Sequence, residues 1–421
     1  MMRKRRPKAH GSSTELSEVT EVLKLKREIG LTSAVSLIAG TMIGSGIFMS
    51  PEWVLRNIGS PGGSLIIWTA CGLLATFGAL SYAELGTLIK ESGGEYIYIL
   101  RNFGSFPAFL FIFTSVIVVR PASVAAVSLS FAEYAVAPFY PGCSSPRLAV
   151  KCTAMTCILL LTLVNCLSVK LATSVMNVFT VAKLLALLVI IVGGIVLLVQ
   201  GHTQSFQNAF QNTNTGAGII GIAFYQGLWS FDGWNNLNYV TEEIKKPEVN
   251  LPRAMMIAIP LVTLFYLLVN VSYFAAMTPV ELLSSGGVAI TWGHSIYGSC
   301  KVPHTFPCSH IHLTGVFHYG YTWKFQPNSE PFQIKKPELP RSYKVPIIIP
   351  VVFLLTSTYL VLAPIIDQPQ IEFLYIILFI LSGVIFYFPL VRYKYHPAYL
   401  QKLTLHLQLL LDVAPAEKDI D

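Results

Sequence analysis

The sequence predicts an all-α polytopic membrane protein whose first and sixth spanning helices are discontinuous. Three observations predict it. The 421 residues are 53% hydrophobic and 12% charged, too apolar for a soluble chain of this length. The apolar residues are gathered into runs long enough to cross a bilayer. Two of those runs are interrupted by glycine, which costs roughly 1 kcal/mol against alanine inside a helix. In lipid a freed backbone group adds several kcal/mol unless something satisfies it.

Residues 1–30 are polar and carry eight basic residues, including Arg3, Lys4, Arg5, Arg6 and Lys8, without the short apolar stretch and small-residue cleavage site of a signal peptide. They read as a cytoplasmic tail. The first run, Leu31 to Met49, contains Gly40-Thr41-Met42-Ile43-Gly44-Ser45-Gly46-Ile47-Phe48. Two readings of its glycines stand open. They break the helix at a site, with exposed amides suited to a carboxylate and exposed carbonyls suited to an ammonium group, or Gly40 and Gly44 form a close-packing G-x-x-x-G face.

Further runs cover Leu65 to Leu88, Phe106 to Val136, Ala149 to Val169, Val175 to Val199, Gly218 to Val240 and Ala254 to Met277. These complete seven spans over residues 31–277. With the N-terminus inside, the inner loops hold Lys90, Arg101, Lys170, Lys245, Lys246 and Arg253, and the outer loops hold Arg56, Arg147 and Lys151. That bias sets the orientation. It also accounts for the net charge of +7 without nucleic acid. Cys143 falls in an external loop, where an unpaired thiol points either to a partner chain or to a free surface cysteine.

Residues 278–344 read as an extracellular loop followed by an atypical segment rich in histidine and proline. His310 and His312 lie beside Cys308, but their spacing matches no usual zinc pattern, so no metal is expected. Two last spans lie within residues 345–390, Val345 to Ile366 and Phe373 to Leu390, before a cytoplasmic tail over residues 391–421.

Arg120, Lys183 and Asp232 lie deep in the third, fifth and sixth runs, where an ionised residue costs about 2.5 to 3.5 kcal/mol. Asp232 belongs to Trp229-Ser230-Phe231-Asp232-Gly233-Trp234, the second glycine-interrupted run, placed five spans after the first. Interrupted helices in corresponding positions point to inverted repeats with a substrate held between the breaks. The other reading is an internal ion pair of Asp232 with Lys183 or Arg120. Glu84, Glu242 and Glu243 are expected at the membrane interface. No nucleotide-binding loop, zinc-protease motif or kinase signature is present, so neither an ATP-driven pump nor an enzyme is expected, and no cofactor.

The stretch from Gly40 to Phe48, Ala83-Glu84-Leu85-Gly86, Ser92-Gly93-Gly94-Glu95-Tyr96, and Thr241-Glu242-Glu243 with Asn250-Leu251-Pro252 resemble the light chains of heteromeric amino acid transporters. These belong to the amino acid–polyamine–organocation superfamily. Phe231-Asp232-Gly233-Trp234 is similar to the b-zero-plus type within it. The resemblance implies an inverted-repeat fold and a sodium-independent exchanger of cationic and neutral amino acids and cystine. It also implies a plasma-membrane location, apical if like that type. Residue by residue, it implies that Met42, Ile43, Gly44, Ser45 and Gly46 hold the substrate's carboxylate and amino groups. Trp229 would be an aromatic lid, Asp232 would sense a cationic side chain, and Lys183 would stand in place of sodium. Cys143 would form a disulfide with a single-span heavy chain like rBAT. The family's eighth to tenth spans are missing, leaving an incomplete second repeat. A truncated isoform that associates with the heavy chain without transporting is therefore the alternative.

Overall fold

In the computed structural model, which describes residues 27–140, 145–167, 169–285, 287–297, 343–367 and 371–393, the first apolar run folds as two helices. α1 (Leu31–Met42) and α2 (Gly46–Ile58) meet at 50° across Ile43, Gly44 and Ser45. The expected end at Met49 is too early. Pro51, Glu52 and Asn57 dilute the hydropathy, yet Val54, Leu55 and Ile58 continue the buried face at helical spacing. Glu52 and Arg56 pair as i, i+4 neighbours at 2.5 Å.

α3 (Pro61–Leu88) begins with proline at its first position and the Ser60 hydroxyl accepting the Gly63 amide at 3.2 Å. The short α4 (Glu95–Phe103) leads into the third span, made of α5 (Ser105–Thr114), a π-helical turn (Ser115–Val119) and α6 (Arg120–Val136). Pro121 has no amide to return to the preceding turn, which accounts for the widened turn ahead of it. α7 (Arg147–Leu167) and α8 (Val169–Val199) follow.

The sixth run, expected from Gly218 to Val240, does not form one helix. α9 (Ala217–Ser230) stops after 14 residues, and after a turn the chain resumes as a 3₁₀ segment, Asn236–Glu243. α10 (Pro247–Ala276), α11 (Pro279–Leu283) and α12 (Val288–Tyr297) come next, then α13 (Ile348–Asp367) and α14 (Ile371–Tyr387) with its π-helical turn Phe388–Arg392. Among the described residues, seven helices are long and apolar enough to cross a membrane, or eight if the bent α1–α2 pair counts as one span.

The core gathers around α10, which packs on α3, α1 and α8. The spans of α3 and α10 are 56% and 44% buried inside the protein, against 17% and 11% for α13 and α14. Glu84, expected at the membrane interface near the inner end of its span, is enclosed by protein. It is 1% exposed, and its Oε2 accepts the Val345 amide at 3.1 Å, just ahead of α13. A donor with no helical partner and a carboxylate with no water satisfy each other. The segment from 298 to 342, including His304, His310, His312 and Cys308, lies outside the described residues, as does Cys143.

Candidate functional site

The two breaks touch. A Cβ placed on Gly46 would lie 2.5 Å from the Ser230 Oγ and 2.6 Å from its Cα, so the start of α2 can meet the end of α9 because residue 46 has no side chain. Gly233 sits opposite Thr41 at φ +102°, a conformation that disfavours any other residue. The Thr41 hydroxyl donates to the Ile38 carbonyl at 2.7 Å and approaches the Gly233 carbonyl at 3.2 Å. Of the two open readings the broken helix is the one observed; Gly46 and Gly233 bring the breaks together, while a Cβ on Gly40 would meet only Thr180 at an ordinary 3.6 Å.

Backbone groups freed at the breaks are met by side chains from other helices. The Tyr266 hydroxyl, on α10, lies 2.6 Å from the Met42 carbonyl and 2.9 Å from the Ser230 carbonyl, bridging the end of α1 to the end of α9. The Lys183 ammonium, on α8, donates to the Gly40 carbonyl at 3.2 Å and the Ile43 carbonyl at 2.5 Å. Below the breaks the chain ahead of α1 is tied to the end of the 3₁₀ segment. Ile29 N donates to Glu243 O at 3.0 Å, and Lys245 N donates to Ile29 O at 2.9 Å.

Some polar groups at the breaks remain unsatisfied. No side chain caps α2 at Ser45, so its first amides are presented at the break. The Ser45 and Ser230 hydroxyls, 1% and 2% exposed, have no hydrogen-bond partner among the described residues. Buried polar groups of this kind are the ones a polar ligand satisfies. The Met42 and Ile43 side chains are buried in the core, so only their backbone is presented at the break.

The second break is walled by rings. Phe231 lies against Trp68 and Tyr266, with centroids 6.1 and 5.1 Å away, and Trp234 meets Tyr82 at 4.9 Å. Trp229, the expected lid, packs against the cluster of Val127, Cys157 and Leu161. Asp232 accepts the Gly233 amide at 2.9 Å and lies within electrostatic reach of Arg120 and Tyr239. Of its two expected cationic neighbours, Lys183 spends its donors on α1 carbonyls and Arg120 is the one whose charge couples to it.

Thr41, Tyr266, Glu95 and Asn235 make contacts at or beside the breaks that the sequence did not single out. A tyrosine or threonine in an apolar run carries no signal by itself. Glu95 offered one, since Gly93-Gly94 ahead of it marks a tight turn, and that turn delivers its carboxylate fully buried onto the Asn235 amide. Among the described residues no group of three His, Cys, Asp or Glu is arranged to hold a metal ion.

The sequence profile of the amino acid permease family matches residues 29–298. The b(0,+)-type amino acid transporter 1 of Mus musculus is 42% identical, in an alignment covering 100% of this chain and 99% of that protein. The alignment runs over 485 positions, more than the 421 residues here, so the mouse protein carries sequence that this chain lacks. The cystine/glutamate transporter of Homo sapiens is 44% identical over 66% of this chain and 56% of that protein. The large neutral amino acids transporter small subunit 2 of Mus musculus is 47% identical over 65% of this chain and 52% of its own length.

Proposed function

Taking as premise that this chain belongs to the amino acid permease family, we propose that it is a sodium-independent exchanger of cationic and neutral amino acids and cystine. The observation that carries this reading is the contact between the two helix breaks, Gly46 against Ser230, with Tyr266 spanning both. A small zwitterion between them meets complementary partners. Its carboxylate faces the first amides of α2 and the Ser45 hydroxyl. Its ammonium group faces the carbonyl ends of α1 and α9, whose oxygens each keep a second lone pair. The side chain then points along the second break, where Asp232 meets a cationic group and Phe231 and Trp234 line the way. Trp229 closes over it.

Lys183 is the reason to expect no sodium. Its ammonium group lies against the Gly40 and Ile43 carbonyls, supplying positive charge where an unwound helix gathers partial negative charge. Exposure to alternate sides follows from moving the broken pair against the remaining helices, with Gly46–Ser230 and Ile29–Lys245 keeping the pair together. The residues carry binding and no bond-making chemistry, so the reading is a transporter and not an enzyme.

A heavy chain like rBAT, joined through Cys143, and an apical plasma-membrane location with both termini cytoplasmic belong to the same proposal. So do the boundaries of the tails and of the segment replacing three spans. The truncated, non-transporting isoform is not favoured, because the whole of this chain aligns with the mouse transporter and, gaps included, the alignment runs from end to end of both.

The test is exchange in reconstituted vesicles, with and without the heavy chain. Leucine loaded inside is expected to accelerate entry of labelled arginine in sodium-free buffer. Uptake that ignores the internal amino acid, or that requires a sodium gradient, would contradict the reading.

A further inference from the structure

Asp232 poses a problem that exchange alone does not solve. A carboxylate inside a membrane protein is tolerated when a cation faces it. A cationic substrate brings that cation and a neutral one does not, yet both are carried on the reading above, on which the following rests. Lys183 is committed to the carbonyls of Gly40 and Ile43.

Arg120 is placed to answer. It directly follows the π-helical turn Ser115–Val119 in the third span, and such turns concentrate at functional sites because they re-aim the side chains beside them. Its guanidinium lies within electrostatic reach of Tyr239, on the 3₁₀ segment after the second break, and of both Asp232 and Glu95. Tyr239 is also within electrostatic reach of Glu95, and Glu95 takes the side-chain amide of Asn235, three residues beyond Asp232. Arg120 therefore has two carboxylates to serve: Asp232 at the break and Glu95 at the start of α4.

We propose that Arg120 is the resident counter-ion of Asp232, facing it while the bound amino acid is neutral and giving way towards Tyr239 and Glu95 when a cationic side chain arrives. Asp232 then never stands alone in either half of the exchange. Arg120 becomes a specificity-determining residue, since every cationic substrate must displace it and no neutral substrate has to. The same hand-over moves the Tyr239 end of the second break whenever a cationic side chain enters.

The test is displacement binding of labelled leucine and arginine to the purified full chain. The ratio of the two affinities is read within each variant, so that the amount of folded protein cancels. Arg120→Gln is expected to weaken leucine relative to arginine by about tenfold or more, because it leaves Asp232 unpaired in the neutral complex. Arg120→Lys keeps the charge and is expected to hold the parent ratio. Adding Asp232→Asn to Arg120→Gln is expected to restore leucine binding, a coupling that independent sites would not show. An unchanged ratio in Arg120→Gln, or a leucine defect that Asp232→Asn leaves in place, overturns the counter-ion. Asp232→Asn alone separates this from the exchange reading. Selective loss of arginine binding upholds that reading whatever Arg120→Gln does, and no change for either ligand removes that reading and the counter-ion with it.

Discussion

The first break is built from small residues and held by distant donors, whereas the second is built around one glycine at positive φ and surrounded by rings and charge. At the first, Lys183 and Tyr266 take the carbonyls of Gly40, Ile43 and Met42, and the region offers a ligand little besides backbone and the Ser45 hydroxyl. At the second, Phe231, Asp232 and Trp234 present side chains that differ in size and charge, with Arg120 and Glu95 behind them. The difference teaches a division of labour. On the exchange proposed above, backbone is to recognise what all amino acids share, the carboxylate and ammonium groups, and side chains what distinguishes them.

That division can be broken most severely where the two breaks meet. Gly46→Val puts atoms inside the space of Ser230, and overpacking of this kind costs about 1 to 3 kcal/mol of stability even when the fold survives. Binding of leucine and arginine is expected to be lost together, and displacement binding on detergent-purified protein checks it. Lys183→Met comes next. It strips a charged donor from two buried carbonyls, worth about 1.5 to 3 kcal/mol for each hydrogen bond to a charged group. Leucine and arginine are expected to weaken by the same factor, since the damage falls on the shared recognition. A loss confined to arginine would undo the comparison.

Asp232→Asn sharpens it from the other side. Arginine affinity is expected to fall about tenfold or more with little change for leucine, read from the same competition curves. The smallest effect belongs to Tyr266→Phe, which removes one hydroxyl from the bridge between Met42 and Ser230. A drop in thermal stability equivalent to about 1 kcal/mol is expected, with both ligands weakened modestly and equally.

Much of this site was legible in the sequence because its parts are costly where they stand. Glycines in the middle of an apolar run and an aspartate at bilayer depth have no cheap structural explanation, and both breaks fall where the glycines of Gly44-Ser45-Gly46 and Gly233 placed them. The partners were not legible. Tyr266 is an ordinary residue in an apolar helix, and nothing in its neighbours indicates that its hydroxyl meets two carbonyls. Position along a run also says little about which neighbours enclose a side chain, which is why the burial of Glu84 against Val345 was not legible. Similarly, hydropathy ended the first span at Met49, while the buried spacing of Val54, Leu55 and Ile58 carried α2 to Ile58. Glu95 lay in a short polar link between runs, where a buried carboxylate is least expected, and the turn that buries it depends on Gly93 and Gly94.

One measurement tests the joint cradle most directly: a cryo-electron-microscopy density map of the protein saturated with arginine, compared with the same protein carrying leucine. The expected map shows the α-carboxylate against the amides that begin α2, the guanidinium beside Asp232, and, with leucine, the same carboxylate position with no density at Asp232. A ligand that touches one break and not the other, or either break running as continuous helix, would contradict the account.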